Sequence, residues 1–323
     1  MDAGAKPPVI SLNLALQGGG AHGAFTWGVL DSLLQDGRFG FEGISATSSG
    51  GMNALALAQG WLDGGRDGAR AALQALWESI AAQTSLVRWA FSTPAGATTQ
   101  TLFGSLTRHF TPSEINPLGI NPVRQVAARL FDFERLRREA SIKLFLAATR
   151  VRDGQLELFD NERLSLEALL ASTCLPQLFP PVEIDGELFW DGGYAGNPVI
   201  EPLIYRCRGR TIVCVLVQPL ERAEAPRSAR QISERIAELA FSNTFLRELS
   251  SLRTAQRSIK RTMALSWLGR RLKNVDVQLL EPGESLDTHA AKTRLDTRIG
   301  YLRNLRDLGR ERTEAWLDTW VGG

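Results

Sequence analysis

Residues Val9 to Gln17 form a near-continuous apolar run that passes straight into Gly18-Gly19-Gly20-Ala21-His22-Gly23, and a helix-forming pattern follows from Ala24 to Leu34. Strand, glycine turn and helix in immediate succession commit the start of this chain to an α/β unit. Leu12, Leu14 and Leu16 alternate at the end of the strand, as one face of a strand requires. The glycines let the backbone turn sharply and bring consecutive N–H groups close to a ligand. Such a loop can cradle a phosphate or hold the oxyanion of an acyl-transfer reaction.

Taken literally, Gly18-x-Gly20-x-x-Gly23 is also the dinucleotide-binding fingerprint in its proper place between strand and helix. A nucleotide-binding α/β protein using Gly18 to Gly23 is therefore one alternative reading. Its usual companion is an acidic residue about twenty positions on, at the end of the second strand. Here the second strand ends in the hydroxyl-rich stretch Ser45 to Ser49 instead. Glu42 is in range but stands at that strand's start, where it would not meet a ribose.

Two further stretches read as the halves of one active site. Ala46-Thr47-Ser48-Ser49-Gly50-Gly51 follows a short strand and precedes a helix-forming run from Met52 to Gln59. A serine among small residues between strand and helix exposes its Oγ at a sharp turn within reach of a base. The helix N-terminus beside it favours developing negative charge. Far along the chain, Trp190-Asp191-Gly192-Gly193 places a carboxylate at the end of a short strand, Leu188 to Trp190. Serine plus carboxylate suffices for general-base activation of a nucleophile. Taken singly, Ser48 would serve as an N-cap and Asp191 as a hairpin-turn residue; the company of the other motifs favours the catalytic roles. Ser45 and Ser49 are read as structural, and Asn53 as a local hydrogen-bonding residue.

Together these elements resemble the patatin-like phospholipases, lipid acyl hydrolases that use a Ser–Asp dyad. The resemblance extends to Ala171-Ser172-Thr173-Cys174-Leu175-Pro176, then Phe179-Pro180-Pro181 and a small hairpin leading to Asp191. It covers roughly Val9 to Val217 and is greatest toward bacterial members with a C-terminal extension. It implies a three-layer α/β/α fold with a mainly parallel sheet and Ser48 as nucleophile. It also implies Asp191 as base and an oxyanion hole from Gly18, Gly19, Gly20 and Ala21. The substrate would be a lipid or other acyl ester, with neither cofactor nor metal. Two positions depart from the family pattern. Ala46 replaces the first elbow glycine, and His22 stands where the family usually has arginine or lysine. An alternative hydrolase triad of Ser48, Asp191 and His289 remains open, since the chain has three histidines, His22, His109 and His289.

The rest of the chain fits an α/β hydrolase. Helices are expected over Ala69 to Ala82, Val123 to Leu130 and Leu166 to Ala171. Strands are expected at Ile142 to Thr149, Leu156 to Phe159, Val182 to Ile184 and Thr211 to Val217. Alternation of this kind argues for helices on both faces of a parallel sheet. Ser92 to Thr101 and Thr111 to Pro122 read as loops at the site mouth. The division expected is an N-terminal tail over 1–8, a catalytic domain over 9–219 and a mostly helical extension over 220–323. Val275 to Leu280 resembles one more strand.

Cys174, Cys207 and Cys214 are scattered without metal-ligand spacing and suggest a reducing compartment. The first eight residues lack the basic and apolar regions of a signal peptide, so a cytoplasmic location is expected. Although the whole chain carries a net charge of only +2, Arg247 to Lys273 holds eight basic residues against the single acid Glu248. That segment reads as a solvated helix face, with peripheral contact to an anionic membrane as the functional alternative. Binding to nucleic acid has no supporting motif and is not expected.

Overall fold

The computed structural model describes residues 10–90, 111–115, 121–222, 225–259, 266–283 and 293–320. Strand β1 (Ile10–Leu16) leads through the glycine loop into helix α1 (Gly23–Asp36), and β2 (Phe39–Thr47) runs into α2 (Ser49–Ala90). Then come α3 (Pro122–Leu130), α4 (Phe133–Glu139), β3 (Lys143–Arg150), β4 (Leu156–Asp160) and α5 (Leu166–Ser172). A hairpin of β5 (Val182–Ile184) and β6 (Glu187–Asp191) precedes α6 (Glu201–Arg206) and β7 (Thr211–Val215). The chain continues through α7 (Ala229–Ser258), α8 (Trp267–Asn274), β8 (Asp276–Leu280) and α9 (Ile299–Thr319).

The eight strands form one sheet in the order β5-β6-β3-β2-β1-β7-β8, with β4 paired to β3. The five strands β3, β2, β1, β7 and β8 are mutually parallel, and the antiparallel pairs are confined to the β3 edge. This is the three-layer, mainly parallel architecture expected. Its two layers of core follow from strand alternation. Leu12, Leu14 and Leu16 of β1 pack with α1, α2 and α9 on one face. Ala15, one residue out of step, joins Ile212 and Cys214 of β7 and Phe245 of α7 on the other. Strand β7 stops at Val215, short of the expected Val217, because the Val217 N–H turns to the Gln17 side chain at 2.8 Å.

The expected pair of helices after Ser48 is one element bent at Gly64 and Gly65, where the backbone leaves helical angles and Gly65 reaches a φ of 62°. Helix α9, inside the extension expected to be mostly helical, lies along α1. A Cβ on Gly28 would overlap the carbonyl oxygen of Arg306, so glycine is what lets the two backbones touch. Asp31 of α1 completes the contact by pairing with Arg70 of α2 at 2.7 Å and with Arg310 of α9. Gly28→Ala is therefore expected to cost about 2 kcal/mol through overpacking, read as a fall in Tm of roughly 4–8 °C. An unchanged Tm would mean that α1 and α9 do not meet at this point.

The basic segment divides into two kinds of residue. Arg247, Arg253, Arg257, Arg270 and Lys273 are exposed, whereas Lys260 and Arg261 lie outside the described residues. Arg271 is only 8% exposed. Its guanidinium donates to the carbonyls of Leu203, Ile204, Arg208 and Gly209 at 2.8–3.1 Å. It ties the end of α6 and the turn before β7 to α8, and is scaffold rather than a lipid contact. No helix among the described residues is long and apolar enough to cross a membrane.

Candidate active site

The parallel register brings the motifs to one row at the carboxyl end of the sheet, where open α/β folds place their ligands. Leu16 faces Ala46 across β1 and β2, which sets Gly18 opposite Ser48 two residues on. Thr47 faces Ala147 on β3, and the next residue, Ala148, faces Asp191 on β6. Loop, serine and carboxylate thus converge although the chain separates Ser48 from Asp191 by more than a hundred residues.

Ser48 sits at the turn between β2 and α2 with a φ of 54°, a left-handed conformation that a non-glycine residue adopts at a cost. Several contacts hold it there. Its N–H donates to Ser172 Oγ at 3.0 Å, and Thr47 Oγ1 donates to the Gly196 carbonyl at 2.8 Å. Gly18 passes so close that a Cβ there would stand 2.6 Å from Ser48 Cβ and 2.7 Å from the Thr47 carbonyl oxygen.

Asp191 is 1% exposed. Its N–H donates to the Cys174 carbonyl at 2.8 Å, and its carbonyl accepts from Thr149 Oγ1 at 2.8 Å. One turn, Ser172 to Cys174, therefore braces both the serine and the aspartate. Oδ1 accepts the Gly193 N–H at 2.8 Å, whereas Oδ2 has no hydrogen-bond partner of good geometry. Burial raises the carboxyl to about 6, opposed by the neighbouring Ser48 hydroxyl and the Gly193 N–H. The Ser48 hydroxyl is close enough to favour the carboxylate without being aligned on Oδ2, a geometry common in unliganded active sites.

In the glycine loop, three of the four N–H groups named above are engaged within the protein. Gly18 N–H donates to Asn197 Oδ1 at 2.7 Å, Gly19 N–H to Ser49 Oγ at 3.1 Å, and Ala21 N–H to the Arg294 carbonyl at 2.8 Å. Asn197 is fully buried and returns a bond from Nδ2 to the Gly18 carbonyl at 3.3 Å. Asn53 clamps the loop to the serine helix, donating to the carbonyls of Gly23 and Ser49 at 3.0 Å while accepting from Trp77 Nε1. Neither Asn197 nor Arg294 was selected from the sequence as part of the loop. The only signal was Asn197-Pro198 following Asp191; nothing local marked Arg294.

His22 is 1% exposed and lies 2.8 Å, Nε2 to Oγ1, from Thr293. Burial, reinforced by the charge of Arg294, lowers it to about 4, so its ring is neutral at pH 7. His109 and His289 lie outside the described residues, as do most of the expected mouth loops. Burial pushes Cys174 up to about 12 and Cys207 to about 11, leaving both as unreactive thiols. Glu42, the acid considered for a ribose, accepts from Arg208 N, Gly209 N and Lys143 Nζ at the opposite end of the sheet.

Above the row opens a cavity of about 300 Å³. Met52, Trp77, Ile80, Val123, Val126, Leu175, Leu178, Phe179 and Phe241 make its wall apolar, and Gly18 to Ala21, Ser48, Asp191 and Arg294 border it. Among the described residues, no group of three or more His, Cys, Asp or Glu side chains is placed to hold a metal ion.

No curated protein matches the chain. Among solved structures it is similar to VipD from Legionella pneumophila, at 17% identity and a TM-score of 0.45 over 98% of this chain and 68% of that one. It is also similar to the ExoU–SpcU complex from the type III secretion system of Pseudomonas aeruginosa, at 15% identity and a TM-score of 0.33. That second match covers 96% of this chain but 53% of the other, so the chain spans about half its length. The family model described as patatin-like phospholipase matches residues 14–204, more than half the chain, from the end of β1 to α6. With the glycine loop, the serine turn and the Asp-Gly-Gly strand end all inside that range, the chain belongs to the patatin-like phospholipase family.

Proposed function

We propose that the protein is a serine lipid acyl hydrolase working through a Ser48–Asp191 dyad. The observation that carries this reading is the buried Asp191 beside Ser48 at the floor of an apolar cavity, with Oδ2 unpartnered. Ser48 Oγ attacks the ester carbonyl carbon as its proton passes to Asp191 Oδ2. Collapse of the tetrahedral intermediate breaks the C–O bond, and Asp191 returns the proton to the departing alcohol. A water molecule then attacks the acyl-enzyme by the same proton route, releasing the fatty acid and restoring Ser48.

The oxyanion is held by the N–H groups of Gly19 and Gly20, while Gly18 and Ala21 shape the loop. Gly18 and Ala21 are locked to a buried amide and a main-chain carbonyl. Gly19 instead gives its N–H to a serine hydroxyl, which can rotate away. The apolar wall accepts an acyl chain and excludes water, so these donors act in a medium of low dielectric. Peripheral contact with anionic lipid would use the exposed Arg270 and Lys273 beside Trp267, which is 61% exposed.

Hydrolysis of a lipid panel, with products weighed by mass spectrometry, tests the activity. Free fatty acid released in proportion to enzyme, together with a fluorophosphonate adduct on the Ser48 peptide, is the expected result. No release from any phospholipid, lysophospholipid or acylglycerol, and no adduct, would overturn it.

A further inference from the structure

Residues 293–298, the described stretch just before α9, reach the cavity. The Arg294 carbonyl accepts the Ala21 N–H, and Arg294, Leu295 and Thr297 stand in the cavity wall. The Arg294 side chain is partly buried there, and its Nε has no hydrogen-bond partner. Its guanidinium carbon lies 5.8 Å from the centroid of Phe241, another wall residue.

The charge around Arg294 is not balanced. Among the described residues it makes no ion pair within salt-bridge distance. The acid that acts on it is Glu238, 7% exposed. Glu238 is already paired with Arg222 at 2.7 Å and Arg235 at 3.2 Å. Among the described residues Glu238 thus spends its charge on two nearer guanidinium groups, and Arg294, the one of the three that borders the apolar chamber, is left under-compensated. Holding an under-compensated cation out of water is costly unless an anion arrives to meet it. A neutral acyl ester has no use for it. A phosphate does, because guanidinium presents paired N–H donors that match two phosphate oxygens.

We propose that Arg294 is a specificity-determining residue that binds the phosphate of a glycerophospholipid headgroup while the acyl carbonyl rests over Ser48. The assignment builds on the hydrolase reading above and narrows its substrate to phosphate-bearing lipids. Any change of the Arg294 side chain keeps the carbonyl bond to Ala21, so the loop's own support survives substitution.

The test compares kcat/KM on two water-soluble esters, dihexanoyl phosphatidylglycerol and dihexanoylglycerol, for the parent, Arg294→Gln and Arg294→Lys. In Arg294→Gln the preference for the phosphodiester over the neutral ester is expected to fall about 30-fold, mainly through KM, the order of one charged hydrogen-bonded contact. Arg294→Lys should restore part of it. An unchanged preference, with both rates falling together or neither falling, would overturn the assignment. Calorimetric binding of dihexanoyl phosphatidylglycerol to Ser48→Ala, with and without Arg294→Gln, reads the same contact without turnover. Loss of binding in the double variant supports the contact even if turnover fails, whereas equal binding sinks it. Glycerol 3-phosphate displacing the lipid at equal concentration would also overturn it, by marking a site for free phosphate. A parent enzyme that hydrolyses neither ester yet binds the phospholipid through Arg294 would instead refute the hydrolase reading alone.

Discussion

Ser48→Ala is expected to lower ester hydrolysis by at least about 10³-fold and to abolish the fluorophosphonate adduct, with the folded structure intact. The bond that fixes the turn runs from the Ser48 main-chain N–H to Ser172, so it survives loss of the hydroxyl. Alanine meets the same left-handed backbone at position 48 as serine does, which keeps the comparison clean. Ser49, the neighbouring hydroxyl, faces the Gly19 N–H at 3.1 Å and is placed as a loop support. An adduct that persists in Ser48→Ala and maps to Ser49 would remove Ser48 from the mechanism.

Asp191→Asn should match that loss of activity while moving stability the other way. Asparagine can still accept the Gly193 N–H through Oδ1, but it cannot take the Ser48 proton. In the parent, burial raises the carboxyl from 3.8 to about 6, so kcat/KM should rise through that pH as the base ionises. The folded state holds the proton more tightly than the unfolded chain. Native stability is therefore lost as pH climbs from about 4 to above 6, by roughly 3 kcal/mol in all. Asparagine mimics the neutral form. Asp191→Asn should melt above the parent at pH 8 and together with it near pH 4. A parent rate flat from pH 5 to 8, or a variant less stable at pH 8, would contradict the buried base. Collapse of activity in a normally folded His289→Ala would replace the dyad with a triad.

What the sequence made legible was what lies within a few residues of itself. Strand β1, the loop at Gly18, the turn at Ser48 and the strand end at Asp191 each carry their own local pattern, and their order sufficed for fold and family. The strand Val182–Ile184 has its expected bounds because Asp185-Gly186 punctuates its end. Partners from afar left no such mark. The N–H groups of Gly18 and Ala21 are spoken for by Asn197 and Arg294, contacts that exist only once the sheet has formed. In sequence Arg271 is one more surface charge, whereas in the fold its guanidinium is enclosed by the carbonyls of Leu203 and Ile204. Helix α9 was legible only as part of a mostly helical extension; its docking on α1 and α2 was not, because the pairs of Arg303 with Glu78 and Arg310 with Asp31 join residues far apart in the chain.

The hydrogen bond from Ala21 to Arg294 has a consequence for timing during synthesis. The serine, the aspartate and the strands that carry them all lie before residue 220, yet the loop beside them is anchored to a carbonyl made much later. Such a bond closes one of the longest loops the chain offers, and contacts of that sequence separation form late. While the ribosome still holds the residues around 294, the growing polypeptide carries the proposed nucleophile beside an unfinished pocket. The cavity proposed for the acyl chain is therefore complete only once the residues around 294 have been made and have folded back onto the glycine loop.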